Sequence, residues 1–305
     1  DEAHHLPATA LDQFACSADL SRLTWIDRLS SRALRIGTLV EVTEVADIPR
    51  HASQLRQHLQ DLARLVMDLY GEALKAQNSA WGPARVRVPR GVLPGALHEP
   101  LGQLAHHAAG FLECLRAISK ALRSEMRDKP DEARRLSQLY AQIGTLAPRL
   151  EAVHATAQLL LQEAPEGEAQ AFVPNAKWFT LETDGDFIVV KAHASPILPG
   201  STLRGHLWSS VRGAVLTSAT LTSCGQFDFF LRESGLHGMD AATTLEVPSP
   251  FNYAAQGTLI AAETHADPKN AAQFTTEMVE ALLHDLARVE YGALVLFTSR
   301  EQMRQ

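Results

Sequence analysis

Apolar residues recur at alternating steps of three and four within the stretch 49–164, and this spacing constrains the fold more than any other feature. It is typical of amphipathic helices, because 3.6 residues complete one helical turn. Breaks at 78–100 and 128–130 divide the stretch into three helices, and Pro148 predicts a kink in the third. We therefore expect an antiparallel bundle of three long helices.

The apolar period changes from about 3.6 to 2 in the segments 178–182 and 187–191. Both are rich in aromatic and β-branched residues, and they flank the turn-forming pair Asp184-Gly185. This pattern predicts a two-stranded β-hairpin that follows the helical stretch.

Helical and strand-like segments alternate in the last third of the chain. Short, fully apolar runs of this kind are typical of buried parallel strands, and the alternation is typical of an α/β fold. The fold class that we expect is therefore α/β, with parallel-sheet parts interrupted by a long all-helical insert. The expected strands are 214–217, 258–261 and 293–297, and the expected helices are 202–211, 227–233 and 274–288.

The composition excludes several classes of protein. Hydrophobic residues make up 46% and charged residues 21%, which is typical of a folded chain. No apolar run is long enough to span a membrane, and we expect neither a span nor a signal peptide. Cys16, Cys114 and Cys224 are odd in number and widely spaced, which favours free thiols in the reducing cytoplasm.

Two tetrapeptides carry most of the candidate chemistry. In Asp1-Glu2-Ala3-His4, one carboxylate is suited to hold Mg²⁺ at a nucleotide and the other to orient or deprotonate water. In Thr217-Ser218-Ala219-Thr220, two hydroxyls follow an expected strand, at the sheet edge where ligands gather. Capping of the next helix is an additional role for Thr220 or Thr222. The adjacent pairs His4-His5 and His106-His107 are not expected to bind metal, because neighbouring side chains point to different helix faces and no carboxylate or thiol has ligand spacing to them.

Four segments, in this order, resemble the DinG helicases, relatives of the XPD group in the second helicase superfamily. The segments are 1–7, 214–221, 248–253 and 292–299. The helical insert between the first two resembles the arch domain of that family. No phosphate-binding glycine loop occurs in the sequence, so we interpret the chain as an internal piece of a longer protein.

The resemblance implies RecA-like motor parts around an arch-like insert. Its expected divisions are 1–20 for the end of the first motor domain, 21–170 for the insert, 171–240 for the rest of the first motor domain and 241–305 for the start of the second.

The resemblance also implies roles for individual residues. Asp1 faces Mg²⁺, Glu2 is the catalytic base of ATP hydrolysis, and His4, Ser218 and Thr220 relay the nucleotide state to domain movement. Thr298 and Ser299 meet the DNA backbone. Many members of the family hold a four-iron, four-sulfur cluster, but the three cysteines here do not match its motif.

Arg85, Arg87 and Arg90, near Trp81, are further candidates for contact with single-stranded DNA, since bases stack on aromatic rings and phosphates pair with arginines. A solvated loop explains the same residues. The resemblance implies ATP, single-stranded or forked DNA and a single-strand-binding protein as partners.

The expected function is ATP-driven translocation on single-stranded DNA with 5′ to 3′ polarity and duplex unwinding, in repair or replication. The chain alone is expected to be inactive. Two alternatives stay open: a helical adaptor that binds DNA or protein without catalysis, and a nuclease on the same scaffold.

Overall fold

The computed structural model describes residues 2–77, 83–163, 175–184, 187–297, 299–300 and 302–304. Its contacts divide the chain into two compact units, 1–243 and 244–305. The helices are α1 Leu6–Phe14, α2 Thr24–Leu39, α3 Ile48–Ala76, α4 His98–Asp128, α5 Ala133–Gly144, α6 Ala147–Leu161, α7 Gly200–Leu203, α8 Asp228–Glu233, α9 Tyr253–Gln256 and α10 Ala271–Leu286. The strands are β1 Cys16–Asp19, β2 Ala84–Arg87, β3 Ala176–Asp184 and β4 Phe187–Ser195. Of the helices described, none has the length and apolar character to cross a membrane.

The predicted helical stripes form the core of the first unit. Leu55 and Leu59 of α3 are fully buried, as are Phe111 and Ile118 of α4. The third predicted helix differs, because it breaks into α5 and α6 instead of bending. Pro148 occupies the first turn of α6, where its missing N–H costs nothing, so the proline begins a new helix.

Three short elements form the start of the chain. Helix α1 ends at Phe14, and strand β1 follows it after one residue. Helix α2 then ends at Leu39. Helix α2 was not predicted, although its Ile26, Leu29 and Ala33 are fully buried.

The four strands form one sheet in the order β1-β4-β3-β2, with each neighbouring pair antiparallel. The predicted hairpin is confirmed as β3 and β4, while its Gly185 lies outside the described residues. The expected loop at 78–100 is wrong at Ala84–Arg87, which forms β2 along β3. Two short 3₁₀ turns, Pro89–Gly91 and Gly95–Leu97, accommodate the proline and glycine residues between β2 and α4.

One face of the sheet and the helices share a single hydrophobic core. Phe179 of β3 and Ala192 and Ala194 of β4 are buried in the same cluster as the stripes of α3 and α4. Side chains alternate between the two faces of a strand, so Trp178 and His193 lie on the opposite face.

The three apolar runs that were expected to be buried parallel strands pair with no strand within the described residues. Val215 is 89% exposed, Leu259 97% and Leu294 86%. A parallel strand is buried by neighbours on both sides and by helices on both faces, and the described part of the chain supplies none for these runs. The expected helix 202–211 ends earlier and changes its geometry, because α7 ends at Leu203 and continues as a short π-helix, Arg204–Trp208.

Two buried histidines join α3 to α4. The Nδ1 atoms of His51 and His107 lie 3.2 Å apart, within hydrogen-bonding distance. The ring of His51 lies over Gly110, where an added Cβ would be 2.6 Å from His51 Nε2. The absence of a side chain at Gly110 is therefore what lets this imidazole fit between the helices.

We expect Gly110→Ala to lower the free energy of unfolding by about 1 to 3 kcal/mol, because the new methyl group displaces the His51 ring from a packed site. Gly102→Ala on the same helix is the matched control, since no atom lies within 4 Å of its added Cβ. The control is expected to be neutral or to stabilise by up to about 1 kcal/mol through helix propensity. Urea unfolding of both variants measures the difference, and equal stabilities would contradict the packing argument.

The stability of the first unit is expected to fall in acid. Burial lowers the pKa of His51 and of His107 below the ordinary 6.5, and burial with the neighbouring Lys191 lowers the pKa of His193 to about 4. Below about pH 6.5 the unfolded chain therefore binds more protons than the folded chain. The free energy of unfolding therefore keeps its full value above about pH 6.5. It decreases as the pH falls from 6.5 towards the lower pKa values that these histidines have in the folded state.

Urea unfolding between pH 7.5 and 5 measures this loss. His51→Gln is expected to reduce the slope of stability against pH, whereas His284→Gln, a change at an exposed position of α10, leaves it unaltered. A wild-type stability that stays constant over this range would contradict the prediction.

Candidate functional site

The first candidate site is built where the start of the chain meets residues 217–220. A 3₁₀ turn, Ala3–His5, leads into α1, whose first turn contains Pro7. The backbone N–H of Ala3 donates a hydrogen bond to the carbonyl oxygen of Thr217 at 3.1 Å. This bond fixes the two motifs side by side, although more than 200 residues separate them in sequence.

His4 connects the two motifs through its side chain. Its Nδ1 atom lies 2.7 Å from Ser218 Oγ, and Ser218 Oγ lies 3.4 Å from Thr220 Oγ1. The backbone N–H of Thr220 also donates to Ser218 Oγ at 3.3 Å. A continuous hydrogen-bonded path therefore runs from the imidazole to both hydroxyl groups that the sequence indicated.

Glu2 lies on the other side of the same imidazole. Its Oε2 atom is 3.5 Å from His4 Nε2 and also 3.5 Å from His5 Nε2. The Glu2 side chain is 74% exposed, so its carboxylate is open to water and ligands. The structure thus brings Glu2, His4, Ser218 and Thr220 together, and their catalytic roles stay a prediction.

The sequence reasoning missed His5. A 3₁₀ turn has three residues per turn, so residues at positions i and i+3 lie on the same side. This geometry places His5 beside Glu2, and the spacing of the two residues was the available signal. The stated ground against a metal, that adjacent histidines point apart, holds for an α-helix and fails here.

Three predicted residues are not part of this arrangement. Asp1 and Thr298 lie outside the described residues. Ser299 belongs to the second unit, where its Oγ accepts a hydrogen bond from the N–H of Gln302 at 3.5 Å at the start of the 3₁₀ turn Gln302–Arg304. The Ser299 hydroxyl therefore caps this turn.

A second candidate surface lies on the face of the sheet that points away from the core. Arg85 and Arg87 are exposed on β2, the last strand of the sheet. The register pairs Arg87 with Trp178 and Arg85 with Thr180, which puts all four side chains on one face. Trp81, the aromatic residue that the sequence suggested, lies outside the described residues.

Trp178 replaces Trp81 as the aromatic partner of the arginines. The Arg85 guanidinium lies 5.9 Å from the Trp178 ring centre, within cation–π range. Trp178 stacks on His193 with ring centres 5.1 Å apart and nearly parallel planes, and Thr180 Oγ1 lies 2.9 Å from His193 Nε2. Because its pKa is about 4, His193 is neutral near pH 7. Arg85 and Arg87 therefore supply the positive charge on this face of the sheet.

The described cysteines do not form a metal or cluster site. Cys16 on β1 is half-buried, Cys114 on α4 is buried and Cys224 is exposed. In the described part of the chain, Glu2, His4 and His5 form the group whose ligand atoms converge, and no thiol belongs to it.

Comparison with known proteins finds similarity to curated ATP-dependent DNA helicases. No family model matches the chain. The full chain is 29% identical over 308 residues to the ATP-dependent DNA helicase DinG of Photobacterium profundum. It is 26% identical over 312 residues to DinG of Escherichia coli K12 and 25% identical to DinG of Salmonella typhimurium.

The similarity to DinG extends along the entire chain. It confirms the resemblance that the four short segments suggested. The chain spans 42% of the length of these curated relatives.

Proposed function

We propose that this chain is the part of a DinG-like helicase that couples ATP hydrolysis to movement on single-stranded DNA. The hydrogen bond between His4 and Ser218 supports this assignment most directly, because it joins a water-activating motif to a second, distant motif. Similarity to DinG over the whole chain supports the same conclusion.

Glu2 acts as the general base in this proposal. Its exposed carboxylate can accept a proton from a water that attacks the terminal phosphate of ATP. Mg²⁺ prefers oxygen ligands, so the carboxylate of Asp1 would hold the ion, while Glu2 stays free to take a proton from water. When bound, the ion stabilises negative charge on the transferred phosphoryl group.

His4 transmits the state of the site to the rest of the protein. Its two ring nitrogens face different partners, with Nε2 towards Glu2 and Nδ1 towards Ser218. A change in the charge or position of the Glu2 carboxylate therefore shifts the hydrogen bond to Ser218 and, through it, the position of Thr220.

The exposed apolar runs at 214–217, 258–261 and 293–297 are central strands of RecA-like motor domains in this proposal. Their exposure supports it, because the described residues leave large apolar side chains such as Val215 and Leu259 without cover. Parallel neighbours from a longer protein would bury them. The helices α2 to α6 then correspond to the arch-like insert between two motor parts.

Single-stranded DNA binds the outer face of the sheet in this proposal. Arg85 and Arg87 supply charge for phosphates, and the Trp178 ring supplies a surface for a base. The described cysteines do not fit an iron–sulfur cluster, so any such cluster has its ligands elsewhere. The polarity of movement is 5′ to 3′, as the resemblance to DinG implies.

We expect Glu2→Gln to lower ATP turnover by about 100- to 10,000-fold in the full product of the gene, because the amide cannot accept the proton from water. Glu72→Gln, a change at an exposed position of α3, is the matched control and leaves turnover unchanged. A coupled phosphate-release assay with saturating single-stranded DNA measures both. Steady turnover by the Glu2→Gln variant would contradict the role of Glu2, and steady turnover by the 305-residue chain would contradict its expected inactivity.

Ser218→Ala in the same protein is expected to retain most ATP hydrolysis and to lose duplex unwinding, because the variant breaks the path from His4 to Thr220 while Glu2 remains. A strand-displacement assay run beside the phosphate assay measures the ratio of the two rates. If the Ser218→Ala protein unwinds as much duplex per ATP hydrolysed as the wild type, Ser218 has no coupling role.

Replacing Arg85 and Arg87 with alanine is expected to weaken the binding of a labelled single-stranded oligonucleotide by the 305-residue chain. Loss of two phosphate contacts reduces the slope of log affinity against log salt by about 1.4, since each contact contributes about 0.7. Arg134→Ala removes a positive charge from an exposed position of α5 and is the matched control. Fluorescence anisotropy at several salt concentrations measures the slopes. Equal slopes for all variants would exclude this face of the sheet as a binding site for single-stranded DNA.

A further inference from the structure

Glu2, His4 and His5 present three ligand atoms that converge on one point. Both Nε2 atoms lie 3.5 Å from Glu2 Oε2. One ligand atom from each of the three residues lies within 4.8 Å of the other two. Zinc bonds of about 2.0 to 2.1 Å in tetrahedral geometry place neighbouring ligand atoms about 3.4 Å apart. The observed spacing therefore requires only small side-chain movements to fit such an ion.

Ser218 prepares His4 for this role. Metal-binding histidines usually donate a hydrogen bond from the ring nitrogen that does not touch the metal, and this bond fixes the tautomer. His4 Nδ1 lies 2.7 Å from Ser218 Oγ, so a proton on Nδ1 leaves the lone pair of Nε2 directed towards Glu2. This contact is independent of the three ligands and gives the group the supporting bond of a metal site.

The donor set selects the kind of metal. Two imidazole nitrogens and one carboxylate oxygen favour borderline transition-metal ions such as Zn²⁺ over Mg²⁺ and Ca²⁺, which prefer oxygen. Three protein ligands leave a fourth tetrahedral position for water. The Glu2 and His5 side chains are 74% and 65% exposed, so an ion reaches the site directly from solvent.

We propose that Glu2, His4 and His5 bind a transition-metal dication of the zinc class, and that this binding inhibits the motor. The inhibitory consequence rests on the proposed function, because it requires Glu2 to act on water. A carboxylate bonded to such an ion no longer accepts a proton, and His4 is held by the ion and by Ser218 at once. Binding itself requires only the geometry described above.

Titration of the 305-residue chain with Zn²⁺ in a calorimeter tests the binding step. His5→Ala removes one ligand and is expected to weaken the binding at least about tenfold, whereas the matched control His284→Ala on α10 leaves it unchanged. Ser218→Ala keeps all three ligands and is expected to weaken binding about 10- to 100-fold through loss of the supporting hydrogen bond. Equal affinities for the wild type and His5→Ala would overturn the site.

A second experiment tests inhibition in the full product of the gene with excess Mg²⁺ and ATP. Zn²⁺ is expected to stop phosphate release by the wild type at concentrations where His5→Ala remains active, and a zinc-selective chelator restores the wild type. The turnover of each protein without Zn²⁺ is the reference against which its own inhibition is measured. Equal inhibition of both proteins would overturn the regulatory role, while absence of turnover in every protein would refute the proposed function and leave the calorimetric result standing.

Discussion

The candidate site depends on the packing of the sheet against the helices, because this packing returns the chain to its own beginning after a detour of more than 200 residues. Strand β1 follows α1 directly and pairs with β4, and the register sets Cys16 opposite Ala194. The same strands bury Ala18 and Ala194 against the helical core. The chain that leaves β4 therefore starts near α1, and the hydrogen bond from His4 to Ser218 spans the remaining gap.

Sequence periodicity predicted those helices and strands whose own apolar pattern defines a buried face. The stripes of α3 and α4 and the alternation in β3 and β4 each encode a buried face, so their structure follows from local pattern. Strands β1 and β2 have four residues each, too few for a clear period, and they are strands because β4 and β3 provide hydrogen-bonding edges. The prediction for residues 214–217 was wrong for the opposite reason. Their composition is that of a central strand, but no neighbouring strand for them exists among the described residues.

The site was predictable to the extent that its residues belong to compact motifs. Glu2, His4, Ser218 and Thr220 could be identified from two tetrapeptides, since each combines chemistry and spacing within four positions. His5 follows Glu2 at a spacing of three, and the two side chains meet because residues 3–5 form a helical turn, which the sequence analysis did not predict. Trp178 and His193 meet because of the register between β3 and β4, a property of the pair that neither strand carries by itself.

The Glu2 carboxylate has two competing sets of partners, and this competition links the proposed activity to the proposed inhibition. Without a bound cation, the carboxylate is free to accept a proton from water. A cation shared with His4 and His5 neutralises its charge and occupies the lone pair that would take the proton. Because His4 also contacts Ser218, whichever partner holds Glu2 also affects the hydrogen bond that leads to Thr220. Water activation and metal binding at this position therefore exclude one another.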